Sequence, residues 1–479
     1  MTQDRTRLLI RGLDGIATGL PGAAARHAGP DLRLEGTRIV ALGALAPEPG
    51  ETVVDASGCI AYPAWVNTHH HLFQSLLKGD PAGLDCTLNP WLAQTPYRYR
   101  AAFDAEAFRI AVRVGLVELA LSGCGTVADH NYLHWPGQGF DPSAILFEEA
   151  AALGLRLVLC RGGQTMLRAG VEPPRSAALQ PESFDAWLRD LQRLAARWHD
   201  PAPDAMRRIV AAPTTPTFSM TPDQMRTVAQ EARRLGLRLH SHLSETVAYI
   251  DAVQRQHGLS PVDFVDSLGW LGPDVWFAHL VHLSPAEITR LGATGTGIAH
   301  CPQSNGRLGS GIAPVLDLAA AGAPVSLGVD GAASNEAADM VSEAHAAWLM
   351  SRARDGLASR ATVQGGVGEA GVRMATVDQV IHWGTAGGAR VLGLDAVGTL
   401  APGQAADIAL FNLDRDPRGF GLHDRLAAPV VGGGRAHLAR LFVAGREVVR
   451  DGTVPGLDLP ALGREAARQV RRLQAAARG

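Results

Sequence analysis

Pro63-Ala64-Trp65-Val66-Asn67-Thr68-His69-His70-His71-Leu72 decides how the chain is read. Its left half, Ala61 to Val66, is mostly apolar with Pro63 interrupting, which predicts a short buried strand. Asn67 and Thr68 follow, then three histidines. Side chains alternate faces along a strand, so His69 and His71 point one way and His70 the other. Two imidazoles on one face at a strand end can share one metal ion, and imidazole nitrogen suits Zn, Fe, Ni or Cu. A hydrogen-bonded histidine cluster would give the same short pattern, so the choice rests on the rest of the chain.

From about residue 62 the texture alternates between strand-like runs and long amphipathic helical stretches. Gly125–Asp129, Leu155–Leu159, Ile209–Ala212, Leu237–His242, Val275–His279, Thr296–His300 and Val325–Asp330 follow the opening strand. Thr221-Pro222-Asp223 marks a helix start, because proline fits the first helical position behind a capping threonine. Eight strands with helices between them predict an α/β fold, a (β/α)8 TIM-like barrel, whose chemistry sits at the C-terminal strand ends. The metal-type residues fall there: His69 and His71, Asp129 and His130, His242, His279, His300 and Asp330. Core histidines scattered at random would show no such bias.

Residues 1–61 and 395–479 read instead as short strands with Gly/Pro punctuation, among them Leu8-Leu9-Ile10, Ala406–Phe411 and Leu441–Gly445. They are expected to combine into one small β-sandwich domain beside a catalytic barrel of residues 62–394. The Gly/Ala-rich stretch 355–372 reads as a mobile insertion. The arginine-bearing stretch 463–478 reads as a solvated or subunit-packing helix.

Composition bounds the function. The chain has 479 residues, 46% hydrophobic and 19% charged, with a formal net charge of -3. These values describe a soluble globular protein with a large core and carry no basic footprint for nucleic acid. No stretch approaches the ~18 uninterrupted apolar residues of a membrane span, and the N-terminus has no apolar leader core. Five cysteines without CxxC spacing suggest neither a disulfide framework nor a thiolate zinc site, so a reduced, cytoplasmic setting is expected. A homodimer is the expectation from general frequency.

Further residues complete the constellation. His242-Leu243-Ser244-Glu245 puts a carboxylate just past a strand end, where it can take a proton from an activated water and pass it on. His279 ends the sixth strand, with His282 beyond it, and Asp330 ends the eighth, where an Asp-Gly turn is the plainer alternative. His300-Cys301-Pro302-Gln303 does not match the Pro-Cys-x-x-Cys zinc signature of thiolate-ligated nucleobase deaminases, and a zincin His-Glu-x-x-His is absent.

PAWVNTHHHLFQSLL, HSHLSE, FAHLVHL, HCPQSNGRLGSGIAP, SLGVDGAASNEAADM and VGTLAPGQAADIALF together resemble the amidohydrolase superfamily over nearly the whole chain. They resemble its branch of metal-dependent aminohydrolases that deaminate guanine-like rings. Within it, Pro90-Trp91-Leu92, TVADHNY, RGGQT and IHWGTAGGARVLG look most like the isoxanthopterin (pterin) deaminases, with the 8-oxoguanine deaminases as neighbours. The resemblance implies one divalent metal, zinc with iron as the alternative, held by His69, His71, His242 and Asp330. His279 with Asp330 would polarise or deprotonate the water, and Glu245 would shuttle a proton to the ring nitrogen. Hydroxide would add to the amino-bearing carbon and ammonia would leave, converting isoxanthopterin to 7-oxylumazine. A two-metal site bridged by a carboxylated lysine is not expected, because the one lysine, Lys78, lies beyond the first strand.

For the substrate, Gln74 offers a donor and an acceptor to a ring amide, Arg161 a cation to a carbonyl or enolate oxygen, and Trp91 a wall. His130, with Asn131, would line the floor. His70, Ser304, Asn305 and Asn335 are expected to support the site from behind. A guanine, 8-oxoguanine or triazine aminohydrolase is the alternative within the same chemistry. A catalytically silent binding barrel is the alternative outside it.

Overall fold

The protein is described by a computed structural model over residues 7–167, 180–362, 372–434 and 436–477. Eight parallel strands form one sheet in chain order: β1 (Trp65–His70), β2 (Cys124–Asn131), β3 (Arg156–Arg161), β4 (Arg207–Ala211), β5 (Arg238–Leu243), β6 (Val275–His279), β7 (Gly297–His300) and β8 (Val325–Leu327). A parallel bridge between His70 and Asp330 brings the two edges together, giving the near-closed barrel expected from the sequence.

Period-2 alternation sorts the strand residues onto two faces. Val66, Ala128, Val158, Val210, Trp276 and Ala299 pack with one another. Trp65, Val127, Leu157, Ile209, Leu239, Phe277 and Ile298 join the larger cluster that includes the surrounding helices. The helices begin where capping chemistry allows. Asp141-Pro142, Thr221-Pro222, Ser260-Pro261 and Ser284-Pro285 each pair a side-chain cap with a proline in the first turn, which has no N–H to leave unsatisfied.

Two further sheets pack beside the barrel. Strands Arg38–Gly43, Asp31–Glu35, Arg7–Arg11 and Thr52–Asp55 form the first. The second runs Arg446–Arg450, Leu438–Val443, Ile408–Asn412, Cys59–Pro63, Gly15–Ala17, Arg26–His27, so both ends of the chain contribute. Ile10, Leu32, Leu34 and Ile39 of one sheet share an apolar cluster with Ile16, Ile408, Leu410 and Phe442 of the other.

The expected strand Ala61–Val66 is in fact two. Ala64 N–H donates to the Asp407 carbonyl in the terminal sheet region at 3.0 Å, and Trp65 N–H to the Gly123 carbonyl at the barrel at 2.9 Å. The apolar run is continuous, but its hydrogen bonds change partner at Ala64. A buried ion pair of Arg156 on β3 with Asp407 fastens the same junction.

The C-terminal helix, Leu459–Ala476, docks on its own chain: Arg472 pairs with Asp104 at 2.8 Å and Arg468 with Glu106 at 2.5 Å, while Leu462 and Leu473 are buried. One face of it therefore packs on the chain itself, and most of its remaining residues are exposed or half-buried. The start of the 355–372 stretch continues the helix Met340–Thr362, and residues 363–371 lie outside the described residues. Among the described residues no helix is long and apolar enough to cross a membrane.

Candidate metal centre and active site

The C-terminal strand ends gather His69, His71, His242 and Asp330. His71 Nε2 lies 3.2 Å, and His69 Nε2 3.4 Å, from Asp330 Oδ1, and His242 Nε2 lies 3.3 Å from His71 Nε2. The ring protons can be assigned from the outward contacts. His71 Nδ1 donates to the His130 carbonyl at 2.7 Å, and His242 Nδ1 to the Thr214 carbonyl at 2.6 Å. Carbonyls only accept, so Nδ1 carries a proton in both rings and the neutral form leaves Nε2 with a bare lone pair.

His69 is set by a relay. His240 Nδ1 donates to the Trp276 carbonyl at 2.9 Å, so His240 Nε2 is an acceptor, and His69 Nδ1 donates to it at 2.8 Å. His69 Nε2 is then also bare, and it is buried with no hydrogen-bond partner. Burial pushes the pKa of His69, His242 and His240 down, keeping all three rings neutral. Three imidazoles gathered beside one carboxylate fit a divalent cation, and outward contacts of this kind orient ligating histidines.

Asp330 is prepared for the same role. Its Oδ2 accepts from Ser304 Oγ at 2.6 Å and its Oδ1 from Gly331 N–H at 2.7 Å. Its backbone is left-handed, φ 60°, as are Ser244 (52°), His279 (78°) and Leu280 (45°). Such residues cost on the order of 1–3 kcal/mol each and persist where a site over-determines them. These four cluster at the ends of β5, β6 and β8.

Glu245 and His279 stand beside the cluster, with Oε2 and Nε2 3.7 Å apart. His279 Nδ1 donates to Asn305 Oδ1 at 2.9 Å, which turns its Nε2 toward Glu245. Burial pushes the Glu245 carboxyl up, with His279 opposing. A carboxyl so placed can be both a base and an acid near neutral pH.

A cavity opens over this group, lined by His71, His242, Glu245, His279 and Asp330 on one side and by Gln74, Trp91, Tyr97, Tyr132, Phe218 and Tyr249 on the others. Gln74 Nε2 donates to the Tyr132 hydroxyl at 2.9 Å, while its Oε1 is buried without a partner. Trp91 is fixed by its indole N–H on the Ala333 carbonyl at 3.1 Å.

Two expected substrate contacts stand elsewhere. Arg161 lies outside the cavity, its guanidinium bound by Glu182 at 2.6 and 2.8 Å and by Asp190 at 3.0 Å. Its charge is already answered, so it has none to offer a ring oxygen. His130 is beneath the cavity, its ring stacked on His242 and its Nε2 donating to the Ala212 carbonyl at 2.8 Å.

The supporting residues take distinct posts. His70 Nδ1 donates to the Asp330 carbonyl, and Asn335 holds the Val329 carbonyl and the Ala337 N–H. His282 donates to the Ser310 carbonyl. Asp129 turns to the Leu72 N–H at 2.7 Å, outside the ligand group. Sequence reasoning missed His240, Tyr97 and Tyr132. His240 was within reach, since His240-Ser241-His242 repeats the one-face spacing of His69 and His71.

Residues 60–448 match the family model described as the amidohydrolase family. An isoxanthopterin deaminase from an unknown prokaryotic organism is 60% identical over 468 residues, 97% of each chain. The 8-oxoguanine deaminase of Pseudomonas aeruginosa is 43% identical over 439 residues, 90% of this chain and 92% of that one. The crystal structure of an amidohydrolase from a Sargasso Sea environmental sample superposes with a TM-score of 0.85 at 53% identity, covering 99% of this chain and 100% of that one. That of atrazine chlorohydrolase from Arthrobacter aurescens, complexed with zinc, gives 0.86 at 27%, covering 97% and 100%.

Proposed function

The chain belongs to the amidohydrolase family, and from that premise we propose that it hydrolyses the exocyclic amine of an oxo-pteridine, isoxanthopterin to 7-oxylumazine plus ammonia. The observation that carries this reading is the convergence of His69, His71 and His242, with Asp330 Oδ1 3.4 and 3.2 Å from the first two, at the foot of a cavity walled by Trp91, Tyr97, Tyr132 and Gln74.

His69, His71, His242 and Asp330 would hold one divalent cation, zinc in this reading, as in the related atrazine chlorohydrolase structure. When bound, such a cation makes water acidic enough to furnish hydroxide near neutral pH. The remaining work falls to the chain's own residues. Gln74 Oε1 accepts a ring N–H, and Trp91 walls the ring. Glu245 takes a proton from the attacking water and delivers it to the ring nitrogen beside the amino-bearing carbon. His279, steadied by Asn305, and Asp330, steadied by Ser304, orient that water. A C–O bond forms, the second water proton passes from the new hydroxyl to the amine, and the C–N bond breaks to release ammonia.

In this reading residues 62–394 are the catalytic unit, with 1–61 and 395–479 as its companion. The five free cysteines fit a reducing compartment such as the cytoplasm. An 8-oxoguanine substrate is the second reading, favoured by the 43% relative.

Ammonia release from isoxanthopterin, 8-oxoguanine, guanine and pterin by zinc-supplemented protein tests the proposal. Isoxanthopterin should show the highest kcat/KM. If 8-oxoguanine leads, the chemistry stands and the ring assignment falls. If metal-loaded protein releases ammonia from none of the four, the deaminase reading is overturned.

A further inference from the structure

Glu343 is the buried carboxyl that the mechanism leaves unused. It is 0% exposed and lies in the first turn of the helix Met340–Thr362. That turn is fixed, since Asp339 Oδ1 accepts from the N–H groups of Val341 at 2.8 Å and Ser342 at 3.1 Å. Burying a polar group costs free energy unless it is hydrogen-bonded, so the partners of this carboxyl are informative.

Both of its oxygens go to one residue. Oε1 accepts from the Gln303 N–H at 3.2 Å, and Oε2 accepts from Gln303 Nε2 at 2.5 Å. Gln303 stands in the first turn of the short helix Pro302–Arg307, where backbone N–H groups have no partner within the helix. Pro302 has no N–H to satisfy, and Cys301 in the cap position makes no side-chain cap. Glu343 supplies, from a neighbouring helix, the cap that this one lacks.

The next two residues of the capped turn reach the site. Ser304 Oγ donates to Asp330 Oδ2 at 2.6 Å, and Asn305 Oδ1 accepts from His279 Nδ1 at 2.9 Å. Both follow Gln303 within one turn of the same helix, so a shift at Gln303 is passed to both contacts.

We propose that Glu343 is a positioning residue of the active site: its two bonds to Gln303 fix the turn that seats Ser304 on Asp330 and Asn305 on His279. The proposal rests on the metal-site reading given above. Its effect divides into two routes. The route through Ser304 ends on a metal ligand and is read in zinc affinity. The route through Asn305 ends on a histidine that orients water and is read in kcat.

The test is a pair of double-mutant cycles. Zinc affinity is measured by chelator competition on wild type, Glu343→Met, Ser304→Ala and the protein carrying both changes. The kcat on isoxanthopterin is measured on wild type, Glu343→Met, Asn305→Ala and the protein carrying both. Loss of a contact that orients a metal ligand corresponds to about 10- to 100-fold in affinity. Glu343→Met should weaken zinc binding by about 10-fold. Adding it to Ser304→Ala should change affinity by less than about twofold, because the same contact is lost only once. Adding it to Asn305→Ala should likewise change kcat by less than about twofold. Glu343→Gln keeps an acceptor for the Gln303 N–H and an amide to pair with the Gln303 amide, so its zinc affinity should stay within about threefold of wild type.

Losses that multiply in either doubly changed protein would mean a general structural role and overturn the proposal. So would wild-type zinc affinity in Glu343→Met, or a glutamine variant as weak as the methionine one. If Glu343→Met does not fold, Gln303→Met, which removes one of the two bonds and leaves the carboxyl in place, decides by the same cycles. A wild type that holds zinc but releases ammonia from none of the four rings sinks the deaminase reading and leaves the zinc cycle to judge this inference.

Discussion

His69 and His240 share one proton along a 2.8 Å contact, and the Trp276 carbonyl, 2.9 Å from the far side of the His240 ring, decides which of them owns it. The proton sits on His69 Nδ1, so the lone pair that faces Asp330 is set two residues away from the ligand group. Replacing His240 by phenylalanine keeps a ring against Trp276 and removes the acceptor. Zinc affinity, read by competition with a chelator, should fall about 10- to 100-fold. Unchanged affinity would mean that the relay does not set the tautomer.

Glu245→Gln should lower kcat by roughly 10²- to 10⁴-fold, the usual worth of a positioned acid–base group. Zinc content should be unaffected, because the carboxylate stands beside the ligands and is not needed to hold the cation. Loss of the metal together with activity would make Glu245 a ligand and require a different proton carrier.

Gly331→Ala tests the seat of Gln74. A Cβ at Gly331 would lie 1.8 Å from Gln74 Oε1, so the amide must leave its place. A displacement on that scale near the chemistry costs on the order of 10- to 100-fold in kcat/KM. The loss should appear in kcat/KM for every oxo ring alike, with zinc retained. Near-normal kinetics would remove Gln74 from the substrate contacts.

Glu343 gives a pH signature. Burial pushes its carboxyl up to about 8, against hydrogen bonds from Gln303. The folded protein therefore keeps this proton at pH values where the unfolded chain, with a carboxyl near 4.3, has lost it. The sign follows: stability from this group is fully present below about 4.3 and is lost as pH rises toward 8, by at most about 1.4 kcal/mol per pH unit. Glu343→Gln should flatten the decline of chemical-denaturation stability between pH 5 and 8. Parallel wild-type and variant curves would show that Glu343 is ionised in the fold.

Asp407→Asn weakens the charge beside Arg156, whose side chain is fully buried. Breaking a buried pair costs about 3–5 kcal/mol. Urea unfolding should show a loss of that order, whereas a loss under about 1 kcal/mol would place the pair among the weak surface bridges.

The barrel was legible because its signals are local and periodic. Each strand is a short apolar run, and a histidine or aspartate marks where several of them end. That alignment marked His69, His71, His242 and Asp330 together with Asp129, His130, His279 and His300, and only the family resemblance singled out the four as ligands. What escaped is what depends on partners distant in the chain. Nothing in the apolar run from Ala61 to Val66 shows that its hydrogen bonds go to Asp407 at Ala64 and to Gly123 at Trp65. Arg161, at a strand end, looked like the available cation because its counter-charges are Glu182 and Asp190, at positions that carry no mark of pairing. Arg100, in the polar run Tyr97-Arg98-Tyr99-Arg100, looks like surface and is buried.

The change of partners at Ala64 also has a consequence for synthesis. Pro63 is paired with Ile408, and the ligand His69 follows only six positions later. On the ribosome, one edge of the strand that leads into the two histidines can pair early with Gly15–Ala17, but its other edge must wait until residues 408–412 emerge. Strand pairings so distant in sequence form slowly. A chain released before residue 408 would carry His69, His71, His242 and Asp330 while the strand leading into the first two lacks one of its two neighbours.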